Sequence, residues 1–300
     1  MAVGISEAGA ESFLPSRPAG QANLWRDAWR RLRRNRLALV ATVYLVFLGG
    51  IAVLSLFWTP YSWSHEGILK PYSGPSAGHP FGGDELGRDT LSRIMVGARI
   101  SLTVGVVTQV FVLLFGVVAG LSAGYFRGWV DGALSFTISV FYGIPDLLVA
   151  MILVVLLGPN LTNIIFAIAV TRWMDVARLV RGQTFSIREK EYVEAARSGG
   201  ARPLKIIFGH IFPNALGPTI VVATIGIPQA ILFEAFLSFL GVGVPPPTPS
   251  WGSMASEGIA ALQIAPNMVI FPSIALSMTL MAFNFLGDGL RDALDPRQKR

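Results

Sequence analysis

Cysteine is absent from the 300 residues, so the chain has no disulfide framework, no thiolate metal site and no thiol redox chemistry. Histidine is almost absent: His65, His79 and His210 are the only three, too scattered in sequence to form a metal cluster. Charged residues are scarce, at 14%. No Gly-x-x-x-x-Gly-Lys-Ser/Thr loop is present to cradle phosphates, so the chain is not expected to hydrolyse ATP itself. No Gly-x-Ser-x-Gly elbow, His-Glu-x-x-His zinc helix or carboxylate pair in a polar domain occurs either. A membrane-embedded hydrolase needs an acid pair or a serine dyad at depth, and Asp146 with Glu234 is a poor pair. These absences argue against an enzyme. The first 36 residues show no apolar core ahead of a small-residue cleavage site, so no cleavable signal peptide is expected.

Long apolar runs are abundant. Apolar residues make up 52% of the chain and the mean hydropathy is +0.56, more than one or two soluble domains can bury. A helix needs about 20 apolar residues to cross the hydrocarbon core. Leu37 to Trp58 supplies 22 residues without a charge. Further spans are expected over 100–126, over 133–157 with a break at Pro145-Asp146, over 161–180, over 217–240 and over 268–286. The expected fold is an all-α integral membrane protein with six transmembrane helices.

Lysine and arginine give these spans a direction. Arg26, Arg30, Arg31, Arg33, Arg34 and Arg36 precede the first span, and Arg178, Arg181, Arg188, Lys190, Arg197, Arg202 and Lys205 surround the loop after the fourth. Arg291, Arg297, Lys299 and Arg300 follow the last, whereas residues 245–267 contain no lysine or arginine. The positive-inside bias places both termini and the Arg188 loop in the cytoplasm. The net charge of +6 therefore tracks membrane sidedness and does not point to nucleic acid. Arg88, Arg93 and Arg99 run against the bias. They alternate with Asp84, Glu85 and Asp89, which reads as a folded, locally neutralised cap.

The expected organisation follows: a cytoplasmic tail and interfacial helix over 1–36, a first span over 37–58 and an extracytoplasmic segment over 59–99. A five-helix core over 100–290 carries a cytoplasmic loop at 182–214, and a cytoplasmic tail closes the chain at 291–300. Trp25, Trp29 and Leu32 share one helical face among arginines, which fits a helix lying in the headgroup layer or, more simply, a basic topology signal. Residues 1–22, rich in Gly, Ala, Ser and Pro, read as disordered.

Gly116, Gly120, Gly124, Gly128 and Gly132 recur every fourth residue. Small residues so spaced let helix backbones approach closely, within the chain or across a homodimer seam. Asp146 and Glu234 are the acids nearest membrane depth and need a partner helix, a cavity or an interface; lining a pathway is one such role. Asn160-Leu161-Thr162 matches a glycosylation acceptor but abuts a span.

Arg188 to Asn214 is charged and helix-forming between two apolar segments. Within it, Ser198-Gly199-Gly200-Ala201-Arg202 looks superficially like the nucleotide-contacting signature of ATP-binding cassette (ABC) ATPases, a reading that fails without a phosphate loop. Glu194-Ala195-Ala196, Gly200 and the run His210-Ile211-Phe212-Pro213 resemble the cytoplasmic EAA loop of ABC importer permeases, with His210 at that pattern's isoleucine position and Phe212 at its leucine position. Three further runs resemble the same family: His79 to Asp89, continuing to Ser92-Arg93 and Gly97-Ala98-Arg99; Leu237 to Gly241 with Pro249-Ser250-Trp251-Gly252; and Gly287 to Arg297. Across residues 24–297 the chain is similar to the C-type permease subunit of dipeptide and oligopeptide importers.

That resemblance implies a type I ABC importer permease fold. It implies an EAA helix seated in a cleft of a separate ATPase, with Glu194 adding charge, Ala195 and Ala196 an approachable surface, Gly200 a tight turn and Pro213 the start of the next span. It implies as partners a homologous six-helix permease, two ATPases that bind ATP and magnesium, and an extracytoplasmic binding protein. Asp84, Glu85, Arg88 and Trp251 are then candidate contacts for that protein or for a gate. No cofactor is expected in this chain, and the implied location is a bacterial plasma membrane. Nickel or another small solute is a variant cargo, and a stand-alone secondary transporter is a rival of another class. The rival predicts inverted repeats or paired intramembrane charges, and neither is found convincingly.

Overall fold

Asn35 opens the first long helix by accepting the Ala38 amide on its side chain, as an N-cap must. The same logic starts three more helices, at Asp89, Asn160 and Ser250. A computed structural model describes residues 24–294; the expectations for 1–22, for the Trp25 side chain and for 295–300 lie outside the described residues. Helix α1 (Leu24–Leu32) is followed by α2 (Arg36–Leu54), α3 (Thr90–Phe126), α4 (Gly128–Tyr142), α5 (Asp146–Leu157) and α6 (Leu161–Arg188). Then come α7 (Glu191–Ser198), α8 (Pro203–Ile206), a π turn (Ile207–Ile211), α9 (Phe212–Phe239), α10 (Trp251–Ile259) and α11 (Asn267–Leu294). No strand occurs among the described residues; residues 83 and 89 form one isolated bridge.

Among the described residues, four helices are long and apolar enough to cross a membrane: α2, α3, the continuous helix from Pro203 to Phe239, and α11. The α4–α5 pair qualifies as a fifth if counted as one span, but it bends by 87° at residues 143–145. The expected third span is therefore an elbow. Helix α6 fails on composition, since Arg172, Asp175 and Arg178 fall within its apolar run. At 1.5 Å per residue α2 measures about 28 Å, close to the hydrocarbon thickness, while α3 runs to about 55 Å and must project beyond it. Hydropathy located only the part of α3 after Ile100; its first turns carry Arg93 and Arg99.

The core is built around α3. Gly116, Gly120 and Gly124 lie against α6: an added Cβ would fall 2.7 Å from Val176 Cβ, 2.6 Å from the Ala177 carbonyl and 2.5 Å from Thr184 Cβ. The four-residue glycine period thus serves packing within the chain, whereas Gly128 and Gly132 face open space. Helix α9 packs on α3, α6 and α11, and α2 closes against α11 and α3. Gly287 and Gly289 of the C-terminal motif let α11 approach Ile225 and Ala38. Outward faces stay apolar: Val40, Val43 and Phe47 on α2 and Leu114, Phe115 and Val118 on α3 are all exposed, as a lipid-facing surface requires.

Candidate functional site

The polar stretch between α6 and α9 folds into a helix with two unlike faces. Glu191 and Glu194 occupy the first turn of α7 and Arg197 its last, an order that complements the helix dipole. Val193 is fully buried and Ala196 packs beside it against Ile187, Ile206 and Ile211. Glu191, Tyr192, Glu194, Ala195, Arg197 and Ser198 are exposed. The two alanines expected to form one surface are therefore divided, because neighbours on a helix point about 100° apart: Ala195 faces out and Ala196 faces in.

The end of α7 explains Gly200. Its N–H donates to the Arg197 carbonyl at 3.0 Å and the Ala201 N–H to the Ala196 carbonyl at 3.1 Å, the paired bonds of a Schellman motif. Gly200 holds φ at +78°, and an added Cβ would meet nothing within 4 Å. Conformation, not space, requires glycine here.

Pro213 stands at the second residue of α9, in its first turn as expected, but α9 is not where the apolar helix starts. The helix runs unbroken from Pro203 to Phe239, so Pro203 takes the first-turn position where a missing N–H is harmless. Pro213 lies inside that helix, where its ring conflicts with the carbonyl four residues back. The chain widens just ahead of it, with the Phe212 N–H reaching the Ile207 carbonyl across a π turn.

Side chains brace this region to the α3–α4 corner. Arg127, at φ 56° between α3 and α4, donates through Nη2 to Glu189 Oε1 at 2.6 Å. Arg188 Nη1 donates to the Tyr125 carbonyl at 2.7 Å, and Arg181 forks onto both Asp131 oxygens. These contacts hold the last turns of α6, from which α7 departs.

At the opposite end of α3 the His79–Asp89 segment folds into a knot. Asp84 accepts the Leu86 and Arg88 amides at 2.9 Å each and Arg88 Nε at 2.6 Å. Arg93 is 1% exposed; it lies 3.3 Å from Asp84 and donates to Glu257 of α10 at 2.9 Å. Burial pushes the Glu257 carboxyl above its ordinary range, opposed by the Arg93 and Arg88 charges. His79 pairs with Asp89 at 2.8 Å. Trp251 is fully buried, and its indole N–H donates to the Ile94 carbonyl at 3.2 Å. Of the four residues expected to meet a docking protein or gate, Asp84, Arg88 and Trp251 are thus buried inside the chain, and Glu85 alone is exposed.

The two acids expected nearest membrane depth part company. Glu234 is fully enclosed, its Oε1 accepting from Ser238 at 2.6 Å and from Ser250 at 2.8 Å; it ties α9 to the cap of α10. Asp146 stands exposed at the elbow, 3.3 Å from Arg172. Around it Tyr142 donates to Asp175 and Arg178 lies over the Tyr142 ring. Asp175 and Arg178 are exposed as well, so α6 turns a charged stripe away from the packed core.

Residues 116–300 match the family described as the binding-protein-dependent transport system inner membrane component. The chain belongs to that family. Residues 23–73 match the N-terminal TM domain of oligopeptide transport permease C. The dipeptide transport system permease protein DppC of Bacillus subtilis is 46% identical over 275 residues, covering 91% of this chain and 86% of its own. The oligopeptide transport system permease protein OppC of the same organism is 41% identical over 278 residues, covering 93% and 91%. The glutathione transport system permease protein GsiD of Escherichia coli is 40% identical over 276 residues, covering 92% and 91%. The chain is an inner-membrane permease.

Sequence reading missed two of the contacts that hold these regions. One is Glu257, a lone acid on a segment without lysine or arginine, which meets Arg93 and Arg88 in the fold. The other is the Arg127–Glu189 pair, 62 residues apart, for which no local signal exists.

Proposed function

We propose that this permease forms half of the translocation pathway of an ATP-driven importer for di- or oligopeptides. Six crossings are counted: α2, α3, the α4–α5 elbow, α6, the helix containing α9, and α11. Helix α6 counts because its charges face the pathway instead of lipid, and the positive-inside bias puts both termini in the cytoplasm. The partners are a second six-helix permease, two ATPases that hold the ATP and magnesium, and an extracytoplasmic binding protein. This chain holds no nucleotide and no cofactor of its own. The cargo reading rests on the dipeptide, oligopeptide and glutathione systems of its relatives.

The two-faced α7 carries the mechanism. Its buried face is fixed to the chain by Val193 and Ala196, and Glu194 and Ala195 look outward toward the ATPase. A push on α7 reaches the end of α6 through the packing of Val193 in one cluster with Ile187, and the α3–α4 corner through the Arg188–Tyr125 and Arg127–Glu189 bonds, so closure of two ATPases rocks the spans as a lever between distinct sites.

The test is uptake of a labelled peptide by the complete complex in proteoliposomes, with ATP hydrolysis followed in parallel. The wild-type complex takes up peptide only with ATP and binding protein. Gly200→Trp places a bulky group on the exposed turn that ends α7, and it is expected to lower uptake per ATP at least tenfold. Hydrolysis that stays fully coupled to uptake in that variant removes α7 from the lever.

A further inference from the structure

Helices α3, α6 and α9 do not close on one another along their whole length. A cavity of about 250 Å3 remains between them. At about 30 Å3 per water in the liquid, it has room for roughly eight.

Its walls carry more polarity than helix packing explains. Thr108 is fully buried and Gln109 is 5% exposed, yet Thr108 Oγ1 and Gln109 Nε2 have no hydrogen-bond partner among the described residues. Both belong to α3 and both line the cavity. Gly226 of α9 shows how tightly the amide is held: a Cβ there would fall 2.2 Å from Gln109 Oε1. Arg172 and Asp175 enter from α6 and Gln229 from α9. Arg172 reaches Asp146 and Asp175 through the single nitrogen Nη1, at 3.3 and 4.0 Å, and a guanidinium has five N–H donors in a fork suited to a carboxylate.

Buried polar groups without partners are destabilising and call for an occupant. Water satisfies a hydroxyl and an amide. A guanidinium with spare donors, beside two amides, a hydroxyl and the Asp175 carboxylate, matches a zwitterionic chain that has peptide groups, a free terminal carboxylate and a free terminal ammonium.

We infer that this cavity is a cargo-contact site, in which Thr108 and Gln109 bond to peptide groups and Arg172 takes the terminal carboxylate. The inference rests on the peptide-importer reading above and adds to it the chemistry by which cargo is held in passage. The contacts are few, as conduction requires: a peptide bound by three side chains still leaves.

Uptake of trialanine and of trialanine amide by the complete complex in proteoliposomes tests this, with one binding protein throughout, so that any change in their ratio belongs to the permease. A charge-assisted hydrogen bond made to one of the two substrates alone is worth about tenfold in that ratio. Arg172→Gln is expected to shrink the acid-over-amide ratio by about that factor, and Arg172→Lys by less. Gln109→Leu, which touches groups common to both peptides, is expected to raise KM for both and leave the ratio unchanged. A wild-type ratio in Arg172→Gln, or an unchanged KM in Gln109→Leu, overturns the inference and leaves the importer reading standing; equal losses for both peptides in Arg172→Gln likewise reduce Arg172 to a structural role. A wild-type complex that imports neither peptide defeats the importer reading first and this inference with it.

Discussion

Gly116 and Gly200 are glycine for different reasons, and one substitution tells them apart. At Gly200 a Cβ meets nothing, and only the left-handed backbone is strained, at about 1–2 kcal/mol for an L-residue and less for asparagine. At Gly116 the Cβ meets the Trp173 carbonyl at 2.8 Å, so α3 and α6 must move apart. Gly116→Ala is therefore expected to lower the midpoint of thermal unfolding in detergent more than Gly200→Ala, and Gly200→Asn is expected to recover most of the latter loss. Equal losses for the two alanines contradict this. Neither reason is written locally: the Glu-Ala-Ala and Gly spacing marked Gly200 as a turn, while the four-residue period marked Gly116 without naming its partner. Burial was the least legible property at this scale. Asp84, Arg88 and Trp251 look like surface chemistry in sequence and lie inside, the charges because Asp84 and Glu257 pair with Arg88 and Arg93, the indole because it packs with Leu48, Ala52 and Ala98. Removing Glu257 leaves Arg93 buried with a single acid, and a buried donor left short of partners costs about 1–3 kcal/mol. Glu257→Ala is expected to destabilise by that order, and Arg93→Met with Glu257→Leu to restore most of it; a double variant as unstable as the single one argues that the pair does more than satisfy charge.

At the scale of elements, the largest departures from the sequence reading sit at prolines. Pro145 announced a break in the third span but not its 87° angle. The angle also depends on α6, whose Arg172 meets Asp146 only once the chain has folded. Pro213 announced a helix start and lies in the first turn of α9, but a π turn joins α9 to the helix ahead of it. A π turn shifts the angular register between the segment before it and the helix after it. Ile206, Ile207 and Ile211 thereby share the buried cluster with Val193 and Ala215, so the turn helps to seat α7. Pro213→Ala gives the backbone an N–H and removes the clash that the π turn relieves. The variant is expected to fold with a thermal midpoint no lower than the parent, yet to rotate α8 and lower uptake per ATP several-fold. A midpoint lowered by more than about 4 °C, roughly 1 kcal/mol or more for a chain of this size, shows that the π turn serves stability instead.

Over the whole molecule, three surfaces have separated. The outer faces of α2 and α3 are apolar, α6 and the elbow carry charges on an exposed stripe, and α7 shows a polar face at the end of α6. Apolar periodicity and the positive-inside bias made the first legible, since both are local sums over residues. The charged stripe registered only as an interruption in an apolar run, because its meaning depends on which side of α6 faces the core. Sidedness joins the surfaces into one mechanism, and the absence of cysteine makes it testable without background. Ser64 in the segment between α2 and α3 and Ser198 at the end of α7 are both exposed. In spheroplasts, a membrane-impermeant maleimide is expected to label Ser64→Cys directly and Ser198→Cys only after permeabilisation. The α7 face must lie inside, where ATP is, for an ATPase to push on it. Labelling of Ser198→Cys from outside therefore inverts the proposed topology and overturns the lever proposed to run from α7 to the end of α6.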